Sequence, residues 1–175
     1  MRVLLLALAF VLAAAPALAQ SPAAHPPAGW KTWRYADLHV SFRAPPDAQP
    51  TVVYSKVTAA VGVVVSDDHI TVIGKPDVGY LVGVSDWTGN TNPMSIDNVP
   101  PSAVKGMQAH IVGPVRTGAF PGGEARDYDF ATATIVGRCR VILLNRRLFQ
   151  VMVLTTAPAV PADTDAFIAA VTPEP

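Results

Sequence analysis

The residues best placed to do chemistry lie in the last third of the chain, where Asp127 and Asp129 stand two apart and Arg138 and Arg140 repeat that spacing. A strand sends alternate side chains to opposite faces, so each pair projects from one side while Tyr128 and Cys139 project from the other. A hairpin turning at Ala133-Thr134 would set Asp129 opposite Arg138, Asp127 opposite Arg140 and Tyr128 opposite Cys139. Arginines held by neighbouring carboxylates can offer guanidinium forks to a carboxylate or phosphate, which makes a small anionic ligand or a protein the expected partner. The plainer expectation is a wet sheet surface tiled by cross-strand ion pairs, each worth about 0.2–1 kcal/mol. A three-residue loop Asn145-Arg146-Arg147 would extend the pattern. It would lay Phe149, Val151 and Val153 beside Leu143, Val141 and Cys139, and add Gln150 and Met152 to the polar side. A slip of one residue would exchange the two faces.

Catalytic readings of these and other residues are weaker. Asp127 and Asp129 resemble a catalytic carboxylate pair, but adjacent arginines keep both ionised and leave no proton donor. Gly83-Val84-Ser85-Asp86-Trp87 resembles the nucleophile elbow G-x-S-x-G. Trp87 replaces the glycine that a tight strand-to-helix turn requires, and no helix clearly follows. A cell-envelope hydrolase built on Ser85 or on Asp127 and Asp129 is therefore the alternative to a non-catalytic binding or accessory module. A third reading is an envelope interaction protein that oligomerises through exposed strand edges.

Metal and phosphate signals are thin. His25, His39, His69 and His110 are scattered, with no ligand-type neighbour at a zinc spacing. Asp67-Asp68-His69 is the densest group of possible ligands and reads as a polar turn between strands. Gly122-Gly123 precedes a strand and not a helix, so it lacks the setting of a phosphate-cradling loop. No metal and no cofactor is expected.

Cys139 is the only cysteine among 175 residues, so no intramolecular disulfide can form. Within the run Arg138-Cys139-Arg140-Val141-Ile142-Leu143 it is expected to face inward as a small hydrophobe. Exposed between two arginines, it would instead be a reactive or dimer-forming thiol.

Charge sets further bounds. Thirteen Lys and Arg balance thirteen Asp and Glu, which gives no general pull toward nucleic acid or anionic lipid. Arg116, Arg126, Arg138, Arg140, Arg146 and Arg147 nevertheless outnumber Glu124, Asp127 and Asp129 in one stretch, expected as a solvated sheet face.

The first residues carry an address. Arg2 precedes an apolar run from Val3 to Ala15, then Pro16 and Ala17-Leu18-Ala19, the layout of a cleavable secretory signal of Gram-negative type. The run is shorter than the roughly 20 apolar residues of a transmembrane helix, so no stable membrane insertion is expected after cleavage. A periplasmic or secreted location follows. Residues 20–29 read as a flexible leader, 30–172 as one domain, and 173–175 as a tail.

Hydrophobic periodicity then supplies the scaffold. Trp33 and Tyr35, followed by Leu38, Val40 and Phe42, alternate about an Ala36-Asp37 corner as two short strands ended by Pro45-Pro46. Thr51–Val57, Ala60–Val65 and Ile70–Ile73 read as strands, Gly74-Lys75-Pro76-Asp77 as a turn into a strand over 78–87, and 88–93 as a loop. Ser95–Ile111 changes to helical spacing, with Ser102 after Pro100-Pro101 as a reasonable cap. Ile111–Thr117, Glu124–Thr132, Ile135–Leu144 and Leu148–Thr155 read as consecutive strands, and Pro161–Val171 as a last helix with Phe167, Ile168 and Val171 on its apolar side. Trp30, Trp33, Tyr35 and Trp87 are expected to close the ends of the core. Short connections favour antiparallel pairing. The fold class is therefore α+β, a largely antiparallel sheet with two helices packed on it.

Tyr128-Asp129-Phe130, the arginine-bearing strand 138–144, Arg147-Leu148-Phe149-Gln150-Val151 and the terminal Asp165-Ala166-Phe167 resemble the closing half of small exported bacterial domains of the PsbP/Mog1-like type. The opening Trp33-Arg34-Tyr35 to Pro45-Pro46 segment also suits that type. The resemblance implies an accessory or binding role and carries no catalytic residues with it. Amino-terminal sequencing of the exported protein should begin at Gln20; a start at Met1, with the chain in the membrane fraction, would show an uncleaved anchor.

Overall fold

The computed structural model describes residues 25–58, 64–75, 77–89 and 93–174. The expected signal segment, the start of the expected leader, the expected strand start at Ala60, and parts of the expected Pro76 turn and 88–93 loop lie outside the described residues.

Among the described residues eleven strands form two antiparallel sheets. β1 (Lys31–Tyr35), β2 (Val40–Ala44) and β11 (Thr172–Pro173) make the smaller, with β2 central. The larger runs in the order β3 (Gln49–Val53), β5 (Val64–Lys75), β6 (Val78–Asp86), β10 (Arg147–Thr155), β9 (Val136–Leu144), β8 (Gly123–Ala131), β7 (His110–Phe120), and β4 (Lys56–Thr58) also pairs with β5. Two helices, α1 (Val99–Gly106) and α2 (Thr164–Ala169), complete it. The α+β expectation therefore holds.

The large sheet is buried on both faces at its centre. On one face Tyr80, Val82, Val84, Ile142, Phe149, Val151 and Val153 pack under α2 and the small sheet. Phe167 is the hub of that layer, with its ring centroid 4.8 Å from Tyr80, 6.2 Å from Phe42 and 6.4 Å from Trp30. The Tyr80 hydroxyl donates to the Asp163 carboxylate at 3.3 Å, which ties β6 to the residue that precedes α2. On the opposite face Tyr128, Phe130, Cys139, Val141, Leu148 and Met152 pack against Ile96 and Val104 from α1 and the single turn before it. Cys139 is fully buried there and burial pushes its thiol up to about 12, so it sits in the core as expected.

The sequence and the structure part company at four places. The loop between β9 and β10 is two residues, Asn145-Arg146, and Arg147 already pairs with Leu144. Both loop residues take positive φ, 49° and 61°, the twist that a two-residue hairpin demands. Phe149 consequently faces Ile142, Val151 faces Arg140, and Gln150 and Met152 join Val141 and Cys139 on the α1 face, not the polar side. Alternation could not reveal this, because β10 is apolar on both faces and either register buries it.

Asp67-Asp68-His69 is not a turn; it lies inside the twelve-residue β5, which is paired on both sides. Aspartate is depleted in strands, so a short polar run imitates a break. Here the Asp68 carboxylate, only 7% exposed, accepts the Ser55 N–H at 2.9 Å. The first helix starts at Val99, with both prolines in its first turn where a missing N–H costs nothing, so Ser102 is inside it and not its cap. It stops early, at Gly106, and Ile111 belongs to β7. Finally, residues 172–173 form β11 against β2, and the Glu174 N–H donates to the His39 carbonyl at 2.7 Å. The folded region thus runs past residue 172.

An arginine at φ 61° carries a left-handed penalty of about 1 kcal/mol that glycine escapes. Arg146→Gly should raise the unfolding free energy by about 0.5–1 kcal/mol, seen as a higher urea midpoint at unchanged slope; a lowered midpoint would mean the side chain contributes more than its backbone costs.

Candidate functional site

β8 and β9 pair as their composition demands. Asp127 stands opposite Arg140, Asp129 opposite Arg138 and Tyr128 opposite Cys139. The turn is held by the Thr132 N–H donating to the Ile135 carbonyl at 2.8 Å, leaving Ala133-Thr134 at the tip. Gly137 on β9 meets Phe130 across the ladder, and the ring lies so close that a Cβ there would overlap it. That close approach brings the two strands together beside the charged residues.

The four charged side chains form a lattice on the α2 side of the sheet. Arg140 grips Asp127 with two bonds, Nε to Oδ1 at 2.7 Å and Nη2 to Oδ2 at 3.0 Å. Arg138 is shared: Nε donates to Asp129 Oδ1 and Nη1 to Asp165 Oδ1, both at 2.6 Å. The Asp129 bond first, and Asp165 after it, outweigh burial and raise the Arg138 pKa. Asp129 Oδ2 also accepts from Arg116 Nη1, at a looser 3.5 Å. Asp127, Asp129, Arg138 and Arg140 are thus brought together as the spacing suggested. Gln150 is not among them, because it pairs with Val141 and faces α1.

The remaining arginines go elsewhere, so the basic stretch is not one face. Arg126 reaches Asp97 at 2.7 Å beside α1. Arg147 donates to Asp86 Oδ2 at 3.2 Å, while the Thr88 N–H and hydroxyl bind Oδ1 at 2.8 and 2.6 Å. Burial opposes ionisation of Asp86, but these donors outweigh it and lower its pKa. Arg146 Nε donates to the Trp87 carbonyl at 3.4 Å, and the Trp87 N–H donates to the Arg146 carbonyl at 3.0 Å.

Other candidates find their places as well. Ser85 lies in β6 opposite Leu148 and Asp67, one residue before that strand ends, and no helix follows directly. It lacks the sharp strand-to-helix turn that exposes a nucleophile. Pro121-Gly122 is the two-residue turn between β7 and β8, with Gly122 at φ 76°, so Gly122-Gly123 serves a hairpin. No group of three metal-ligating side chains occurs among the described residues. No helix among them is long and apolar enough to cross a membrane.

No known family's profile matches the chain, and no characterised protein matches it in sequence. Its architecture does match a solved one: cyanobacterial PsbP (CyanoP) from Synechocystis sp. PCC 6803, with a TM-score of 0.51 and 12% identity over 88% of this chain and 95% of that one. The fold is PsbP-like. At that identity the likeness concerns backbone architecture and no individual side chain.

Within this PsbP-like fold, two members of the lattice escaped the sequence. Asp165 arrives from α2, and its pairing with Arg138 depends on where that helix docks. Arg116 arrives from β7 opposite Asp127, past a register shift between Val112 and Arg116 that no local spacing announces. Double-mutant cycles measured by urea unfolding should give a coupling of about 1 kcal/mol for Asp127 with Arg140 and close to zero for Arg116 with Asp129. Equal couplings would show that the two-bond geometry contributes nothing.

Proposed function

We propose that the mature chain is an exported, non-catalytic accessory or binding module of a Gram-negative periplasm, and that the ion-paired face of β7, β8 and β9 beside α2 is where it meets a partner. The observation that supports this most is the state of the lattice. Every carboxylate in it is held by a guanidinium, and among the described residues no hydroxyl, imidazole or thiol is bonded into it to act as nucleophile or base. Such a surface offers charge in a fixed pattern, which recognises a complementary surface rather than performing proton transfer.

The engagement of both arginines also favours a protein over a small anion. A phosphate or carboxylate seeking a two-bond fork would have to compete with Asp127 for Arg140, or with Asp129 and Asp165 for Arg138. A protein surface can dock on the intact lattice from above. Fold likeness to cyanobacterial PsbP and the signal-like residues 1–19 support the accessory role and the export.

The test is capture from periplasmic extract on immobilised mature protein. A specific protein should be retained by the natural chain, released by salt, and lost with Arg138→Ala combined with Arg140→Ala while circular dichroism stays unchanged. Equal retention by the double variant would reject this face. Binding of inorganic phosphate that the same substitutions abolish would favour the small-anion reading.

A further inference from the structure

A different corner of the molecule carries a site of its own. Where the small-sheet layer meets the β3–β5 edge of the large sheet, an open depression of about 300 Å³ is lined by Tyr54, Ser55, Lys56 and Asp68. Asp68 reaches it from β5 and is more than nine-tenths buried, yet among the described residues the Ser55 N–H is the one donor on its carboxylate. An ionised carboxylate can accept about four hydrogen bonds, and burying one with a single donor is costly. Tyr54, in contrast, is 59% exposed. The Tyr54 hydroxyl donates to Asp37 Oδ2 at 2.7 Å, which fixes the ring as a wall and brings a second carboxylate to the rim.

A negative, half-desolvated site beside an open aromatic face has one natural complement, an organic cation. Its charge meets the carboxylates, and its N–H or C–H groups meet the ring. A bare metal ion would gain nothing from the ring, and an anion would be repelled by Asp37 and Asp68. Lys56 is the opposing charge at this place, exposed on the rim, and it tempers the attraction without filling the role.

We propose that the Tyr54–Asp68 depression binds an alkylammonium group, either a lysine side chain of a protein partner or a free small amine. This site is separate from the ion-paired face of β8 and β9, so either can fail without the other.

The experiment is an amide chemical-shift titration of the mature protein with n-butylammonium chloride, tetramethylammonium chloride and a blocked lysine tripeptide, with sodium chloride and sodium acetate at matched ionic strength as controls. Saturable shifts should appear at Tyr54, Ser55 and Lys56 with the ammonium probes alone. Asp68→Asn retains an oxygen for the Ser55 N–H and should weaken binding about tenfold. Tyr54→Ala should weaken it about threefold, and Lys56→Ala should tighten it. Tighter binding of the tripeptide than of butylammonium identifies a protein source, and the reverse order a small amine. Shifts reproduced by sodium chloride, or unchanged affinity in Asp68→Asn with a native-like spectrum, would overturn the proposal.

Discussion

Burial of β9 and β10 on both faces is the constraint from which the rest of the structure follows. Phe149, Val151 and Val153 must be covered on one side and Leu148, Met152 and Cys139 on the other, so the sheet needs two lids. α2 and the small sheet supply one, α1 and its preceding turn the other. Apolar burial at about 25 cal/mol per Å² makes this the dominant gain, and the ion pairs are small beside it.

The charged lattice exists because one lid ends early. α2 is only six residues long and covers β10 and part of β9, which leaves the flank of β8 and β9 uncovered. At that boundary the sheet changes from Val151 and Val153 to Arg140 and Arg138 on the same face. Asp165 at the start of α2 bonds Arg138, so the helix that closes the core also stitches its own margin to the exposed flank. The charged lattice and the core packing are therefore neighbours in space, joined through one guanidinium.

The second corner arises from the same geometry at the far edge. The small sheet, anchored by β11 and by the Arg34–Glu174 pair at 2.9 Å, reaches over β5 but stops near Asp37. Asp68 is thereby buried beneath the margin of a layer while Tyr54 stands outside it. Polar residues within strands, which look like breaks in a linear reading, mark the places where a covering layer runs out.

The α+β class, the strands of the last third, the Ala133-Thr134 hairpin and the pairing of Asp127 and Asp129 with Arg140 and Arg138 were determined by the sequence itself. Each rests on local alternation and a short connection, and both are visible along the chain. What lay beyond it was decided by tertiary contact. The β9–β10 register turned on a two-residue loop and a doubly buried strand, where alternation carries no information, and this moved Gln150 away from the arginines. Asp67-Asp68-His69 became strand because β6 paired with all three and β3 with His69, overriding a weak local preference. Asp165 and Tyr54 found Arg138 and Asp37 across 27 and 17 residues of chain. Such contacts depend on how layers dock, which is set by the fit of whole faces and not by the spacing of any few residues.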